Sequence, residues 1–183
     1  MTCIAREIRV DRFDNIPETA LAWHRAGEAA VLATVIQTWG SAPRRVGSQM
    51  GINRAGDLVG SVSGGCVEAA VVIEAQEALQ MQQPRVLEYG VSDGDAFAVG
   101  LACGGTIRIL VEPIGIGGLP VHMPRKLVAA RRARQPVAYH VALDGSARSL
   151  VDEGHDARFP RARSGFSRGG YSLLRRNTPT PRS

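Results

Sequence analysis

The stretch Ser61–Ala70, SVSGGCVEAA, decides how this chain folds, because two glycines and a cysteine there join a strand-like run to a helix-like run. Glycine pairs let the backbone adopt positive φ and let a ligand or another backbone come close. The pattern predicts a helix over 66–82 with Cys66 in its first turn, where free N–H groups and the helix dipole lower a thiol pKa and attract anions. Glu68 in that turn complements the dipole.

A second cysteine stands beside two glycines in Gly100–Thr106, GLACGGT. The chain contains no Cys-x-x-Cys, and its four histidines lie outside both cysteine loops in sequence, so a zinc site or a catalytic triad has no spacing to support it. A glycine-rich pocket with N–H donors and soft sulfur suits an anionic ligand with a soft centre, such as a phosphate-bearing metal cofactor. The alternative is that Cys66 and Cys103 are small buried apolar residues in tight turns.

Upstream of these loops, Ala29–Gln37 is apolar and β-branched on both faces, which is typical of a central buried strand. Thr38–Met50 then forms a loop that carries Arg44 and Arg45. Ligands of α/β sheets tend to bind beside the carboxyl ends of strands, so these two cations are candidates for holding an anion. The alternative is a solvated loop with two exposed arginines.

Hydrophobic periodicity predicts an α/β fold with one domain, in which a mixed sheet is flanked by helices. The expected helices lie near 17–26, 66–82 and 124–134. The expected strands lie near 29–37, 50–53, 58–62, 85–89 and 106–111, with a hairpin over 137–151 at one side of the sheet. Asp144-Gly145 supplies the turn of that hairpin. Strand order does not follow from the sequence.

The net charge of +5 belongs to the end of the 183-residue chain. Residues 157–183 carry seven arginines and no acid, whereas residues 1–156 carry 15 basic and 17 acidic residues. We therefore expect a domain over 1–155, a disordered Arg-rich tail over 156–183, and no nucleic-acid partner, since the domain has no basic stripe. No apolar run is long enough to span a membrane, and three cysteines without a secretory signal predict a cytoplasmic protein.

Three motifs together resemble the XdhC/CoxI family, the accessory factors of xanthine dehydrogenase and related molybdenum hydroxylases. The first motif is Gly40–Met50, GSAPRRVGSQM, and the second is Gly60–Glu68, GSVSGGCVE. The third motif is Gly100–Thr106, which leads into the strand-like run Ile107–Pro113. Their order and spacing match over roughly residues 15–155.

The resemblance implies a chaperone, not an enzyme, that binds molybdenum cofactor (molybdopterin) transiently and protects it. The implied partners are an apo molybdenum hydroxylase of the xanthine dehydrogenase type, a cysteine desulfurase that supplies the terminal sulfur, and a second copy of the chain. Carried over by position, the cofactor-binding residues are Ser63, Gly64, Gly65, Cys66, Cys103, Gly104 and Gly105. Arg44 and Arg45 would hold the pterin phosphate, and Cys66 and Cys103 would contact the metal.

The chain departs from the family beyond the third motif. Family members of this kind continue into a C-terminal Rossmann-like domain, and we expect none here; the arginine-rich tail fits either a single-domain form or a truncated or frameshifted product. Two other functions stay open from the residues alone. One is a cysteine-dependent transferase that uses Cys66 as nucleophile, and the other is an inactive truncated interaction module.

Overall fold

A five-stranded sheet with strand order β3-β2-β1-β5-β4 forms the centre of the molecule. The computed structural model describes residues 15–90, 104–135, 137–142, 147–152 and 171–175. The helices are α1 (Ile16–Arg25), α2 (Glu68–Met81) and α3 (His122–Arg132). The strands are β1 (Ala30–Trp39), β2 (Gln49–Asn53), β3 (Leu58–Gly60), β4 (Arg85–Tyr89), β5 (Thr106–Pro113), β6 (Val137–Val141), β7 (Arg148–Asp152) and β8 (Tyr171–Arg175).

The central strand β1 is buried on both faces, as its apolar sequence predicts. Because alternate side chains of a strand point to opposite faces, Val31 and Val35 pack with α2 in one apolar cluster. Leu32 and Ile36 pack on the other face with residues of α1, α3 and β6. The sheet is therefore covered by helices on both sides.

The predicted α/β fold with a sheet flanked by helices is confirmed. Every pairing between the named strands is antiparallel, and an isolated parallel bridge links Ile114 with Leu119. The strands and helices lie within a few residues of the expected bounds. No helix in the described ranges is long and apolar enough to cross a membrane.

The start of α2 differs from the prediction. The helix begins at Glu68 with Val67 as its N-cap residue, so Cys66 precedes the helix and does not lie in its first turn. The reason is local: residues 62–67 form a bent loop whose N–H groups bind a side chain of the helix instead of continuing it.

A second sheet, with strand order β7-β6-β8, replaces the hairpin expected at one side of the main sheet. Its third strand, β8, lies inside the tail for which we expected no regular structure. The backbone of β8 pairs along the whole of β6, so a short strand forms there despite the Arg-rich composition around it. The turn at Asp144-Gly145, residues 153–170 and residues 176–183 lie outside the described residues, and the domain boundary at 155 stays a prediction.

Glu112 of β5 connects the two sheets from a fully buried position. Its carboxylate accepts hydrogen bonds from the Tyr139 hydroxyl at 3.0 Å and from Arg148 Nε at 2.9 Å. Arg148 also donates from Nη1 to the Gly118 carbonyl at 3.1 Å. Burial raises the pKa of Glu112 despite these partners, and burial together with Glu112 raises the pKa of Tyr139. The network fixes the second sheet against the first.

Candidate functional site

The first and third motifs meet through their backbones at one end of the main sheet. Trp39 and Thr106 pair at the ends of β1 and β5, and the Gly40 and Gly104-Gly105 segments continue directly from that pair. A Cβ built on Gly105 would lie 2.1 Å from the Ser41 carbonyl oxygen, so only glycine allows this approach. The two loops therefore touch without side chains between them.

The second motif lies against the first at the same end of the sheet. A Cβ built on Gly64 would lie 3.7 Å from the Pro43 Cβ, so the loop after β3 reaches the loop after β1. Gly90, which follows β4, is also close: a Cβ there would lie 2.4 Å from the Thr106 Oγ1. The prediction that the glycine loops gather at one sheet edge agrees with this arrangement.

The carboxylate of Glu68 fills the concave side of the second motif's loop. The backbone N–H groups of Ser63, Gly64 and Gly65 donate to it at 2.9, 3.1 and 2.8 Å. The hydroxyls of Ser61 and Ser63 donate at 2.6 and 2.5 Å, and the N–H of Val62 adds a sixth hydrogen bond at 3.2 Å. The N–H donors that the sequence predicted for a ligand are thus bound to a side chain of the protein.

Two effects act on the acidity of Glu68, and hydrogen bonding prevails. Partial burial disfavours the charged form, but the hydrogen bonds from the side chains of Ser61 and Ser63 and from the backbone favour it, which lowers the pKa of Glu68 to about 2. The carboxylate is therefore ionised at any pH above the acid range. A loop bound to it keeps one conformation across the physiological pH range.

The predicted site residues of the second motif divide into an inner and an outer group. Ser63 is buried, and its Oγ also accepts a hydrogen bond from the Val67 N–H at 3.0 Å. Gly64, Gly65 and Cys66 are exposed. The exposure of Cys66 excludes, for this cysteine, the alternative of a small buried apolar residue.

The predicted residues of the other two motifs lie beside this loop. Arg45 is exposed and Arg44 is half-buried, on the loop whose Pro43 faces Gly64. Gly104 is exposed, whereas Gly105 is buried against Ser41. Cys103 precedes Gly104 in the chain and lies outside the described residues, so the expected meeting of the two cysteines stays a prediction.

Glu68 and Ser61 are the residues of this region that the sequence did not assign to the site. Sequence reasoning gave Glu68 only a role beside the helix dipole. The missed signal is its spacing: Glu68 stands three residues after Gly65 and reaches back to the Gly65 N–H, as the glutamate of a capping box does. A serine-rich glycine loop followed by an acidic helix start therefore indicates an internal anion.

A molybdenum cofactor as ligand fits the outer face of this region better than its inner face. The outer face offers the Cys66 thiol, the Arg45 guanidinium and the open backbone of Gly64, Gly65 and Gly104. Trp39 and Val46 are 44% and 40% exposed on the same loops and add apolar surface. No group of three or more His, Cys, Asp or Glu side chains that could hold a metal ion occurs in the described part of the chain.

A separate cleft of about 670 Å³ lies at the opposite end of β1. It is lined by His24, Glu28, Gln82 and the loop that contains Gly115 and Ile116. None of the three motifs contributes a residue to it. The larger cavity and the glycine loops therefore lie at different ends of the sheet, and the chemistry carried by the motifs points to the loops.

Comparison with known proteins matches the chain to proteins of molybdenum-enzyme maturation. The model of the XdhC and CoxI family matches residues 23–90, which include the first two motifs and leave out the third. Over 89 residues the chain is 38% identical to the molybdenum cofactor insertion chaperone PaoD of Escherichia coli (strain K12), a match that covers 49% of this chain and 28% of that protein. Over another 89 residues it is 34% identical to a probable xanthine dehydrogenase component of Bacillus subtilis (strain 168), with 48% and 27% covered.

A solved structure shares the fold. The crystal structure of a xanthine dehydrogenase from Bacillus halodurans superposes with a TM-score of 0.61 at 28% sequence identity, over 75% of this chain and 42% of that one. The chain spans about a quarter of the length of the two curated relatives from Escherichia coli and Bacillus subtilis. The resemblance seen in the first two motifs is confirmed.

Proposed function

Since residues 23–90 place the chain in the XdhC/CoxI family, we propose that it is a maturation factor that binds molybdenum cofactor and assists its insertion into a molybdenum hydroxylase of the xanthine dehydrogenase type. The observation that carries the proposal is the convergence of the motif loops around an exposed Cys66. The functions of the relatives supply the ligand and client classes.

The residues divide the work of binding by their chemistry. Cys66, with Cys103 from the third motif, supplies soft sulfur for the molybdenum centre. Arg44 and Arg45 supply charge for the pterin phosphate, because guanidinium groups bind phosphate in a bidentate manner. Gly64, Gly65, Gly104 and Gly105 keep the surface low enough for the ligand to approach, and Ser63 holds the loop from inside.

The chain acts in this proposal as a carrier and not as an enzyme. It works in the cytoplasm, binds the cofactor transiently, exchanges it with the apo hydroxylase, and meets a cysteine desulfurase that completes the sulfuration. A homodimer would present two such sites. Each of these partners is testable by co-purification with the tagged chain.

A transferase that uses Cys66 as nucleophile has weaker support. Cys66 precedes α2, and the loop N–H groups that would stabilise a thiolate are bound to Glu68. The side chain of His24 lines the cleft at the other end of β1 instead. The inactive interaction module makes a separate prediction: binding of the hydroxylase that persists when both cysteines are replaced.

The test is co-purification of molybdopterin with the wild-type chain and with three alanine variants. We expect Cys66→Ala and Cys103→Ala to lose the bound pterin, and Cys3→Ala, whose cysteine belongs to no motif, to retain it. Folded wild-type protein that carries no molybdopterin under reducing conditions would exclude the proposal.

A further inference from the structure

We propose that Glu68 is the positioning residue of this site: its carboxylate holds the loop from Ser61 to Gly65 in the conformation that presents the Cys66 thiol to a ligand. The role of the thiol in binding rests on the proposed function. The role of Glu68 in the loop rests on the described contacts and stands apart from it.

The carboxylate is held at a fixed place by its helix. Glu68 is the first residue of α2, and Val67 and Val71 on either side of it are fully buried in the main apolar cluster. The Val71 N–H also donates to the Val67 carbonyl at 2.9 Å, which closes the first turn. A side chain that starts from so rigid a point can order the loop that binds to it.

The loop has few other contacts that would hold it. Gly64 and Gly65 have φ of +83° and +117°, and nothing lies within 4 Å of a Cβ built on Gly65. The Gly64 N–H is shared between Glu68 and the Ser61 Oγ, which itself donates to Glu68. Removing the carboxylate leaves these donors without their common acceptor, so the two glycines before Cys66 gain conformational freedom.

The geometry also separates this role from anion binding by the ligand. A carboxylate offers about four lone-pair sites, and six donors converge on this one, so the inner face of the loop is already saturated. A ligand phosphate therefore binds outside the loop, where Cys66 is exposed. Glu68 acts on the ligand through the position of Cys66 and does not contact it.

The experiment is a double-mutant cycle between Glu68→Gln and Cys66→Ala, with Glu74→Gln as control. Glu74 lies on the same helix and pairs with Arg85, which keeps Glu77 as a second partner. Two quantities are measured: the Kd for molybdopterin, and the rate of iodoacetamide labelling of Cys66 in the free protein, read from its peptide by mass spectrometry.

We expect Glu68→Gln to raise the Kd about tenfold, and to add no further loss when Cys66 is already alanine. Labelling of Cys66 should change about threefold or more in Glu68→Gln and stay within about twofold in Glu74→Gln. If Glu68→Gln does not fold, Glu68→Asp, which keeps the charge on a shorter arm, should shift both quantities in the same direction to a smaller extent.

Two results would overturn the proposal: wild-type labelling in folded Glu68 variants, or an equal loss of affinity in the Cys66→Ala background, which would mean that Glu68 does not act through the thiol. A wild-type chain that binds no molybdopterin would reject the proposed function alone. In that case the labelling rates still decide the role of Glu68, because they are measured without ligand.

Discussion

Glu68 and Glu112 are two carboxylates with several hydrogen-bond donors each, and they differ in what surrounds them. Glu112 is fully buried between two sheets and faces a cation, Arg148. Glu68 lies partly exposed at the surface, and the donors that converge on it are neutral hydroxyls and backbone N–H groups. Burial raises the pKa of the first, whereas hydrogen bonds lower the pKa of the second to about 2.

The difference separates a residue that holds the fold from one that shapes a site. A buried ion pair has high stakes for stability, because loss of one partner leaves an unpaired charge in the interior. A surface carboxylate that orders a glycine loop contributes less to stability, since water can replace part of its hydrogen bonds. The two regions should therefore respond differently to substitution, to loop changes and to pH.

The largest expected effect is that of Arg148→Met. This change leaves Glu112 buried without its cation and should lower the free energy of unfolding by about 3–5 kcal/mol. Urea denaturation measures the loss, and Cys66 labelling in the folded state should be unaffected. Replacing Glu112, Tyr139 and Arg148 together by apolar residues should recover most of the loss; failure to recover any would contradict this account of the network.

A smaller loss is expected for Gly105→Ala, which tests the backbone contact at the site end. The new Cβ would meet the Ser41 carbonyl, and the forced shift should cost about 1–3 kcal/mol in unfolding free energy. Gly104→Ala is the matched control, because its Cβ would have open space and only the positive φ of +71° to tolerate. Equal thermal melting of the two variants would show that the loops are not in contact.

Glu68→Gln should lower the free energy of unfolding by about 1–2 kcal/mol, less than Arg148→Met, because its hydrogen bonds lie partly in water. The measurement is urea unfolding beside amide hydrogen exchange of the loop. Exchange should accelerate at Ser63, Gly64 and Gly65 and not in β1. A stability loss as large as that of Arg148→Met would erase the distinction between the two regions.

The smallest effect is the pH dependence of that loss. The pKa of Glu68 in the folded chain, about 2, is below its ordinary value of 4.5, so its stabilisation is fully present above pH 4.5 and is lost as the pH falls towards 2. The gap in urea midpoint between wild type and Glu68→Gln should narrow over that range. For Glu112→Gln the change should have the opposite sign, because the pKa of Glu112 is raised.

The sequence predicted what depends on local pattern. Two-sided apolar character identified β1 as the central strand, and glycine pairs identified the loops that meet at its end. The contacts of Glu68 were missed because they depend on how far one side chain folds back over its own loop. The ion pair between Glu112 and Arg148 was missed because it requires knowing that two distant strands, β5 and β7, lie close together.

The second sheet shows the same limit from the side of the backbone. The hairpin of β6 and β7 follows from a turn signal between two apolar runs, which is local information. The pairing of β8 with β6 crosses some thirty residues and an Arg-rich composition, neither of which local propensity can evaluate. Long-range pairing is therefore where the sequence prediction for the tail departs from the structure.

The central position of β1 has a consequence for how the molecule unfolds. Because its alternate side chains belong to two different apolar clusters, one backbone segment is a shared wall of both cores. Neither core can open without exposing the other through that wall, so partial melting of one side gains little chain entropy before the whole sheet is lost. The amides of β1 should then exchange with solvent only through global unfolding, and damage beside the second sheet would be felt at the cysteine loop as lost cooperativity.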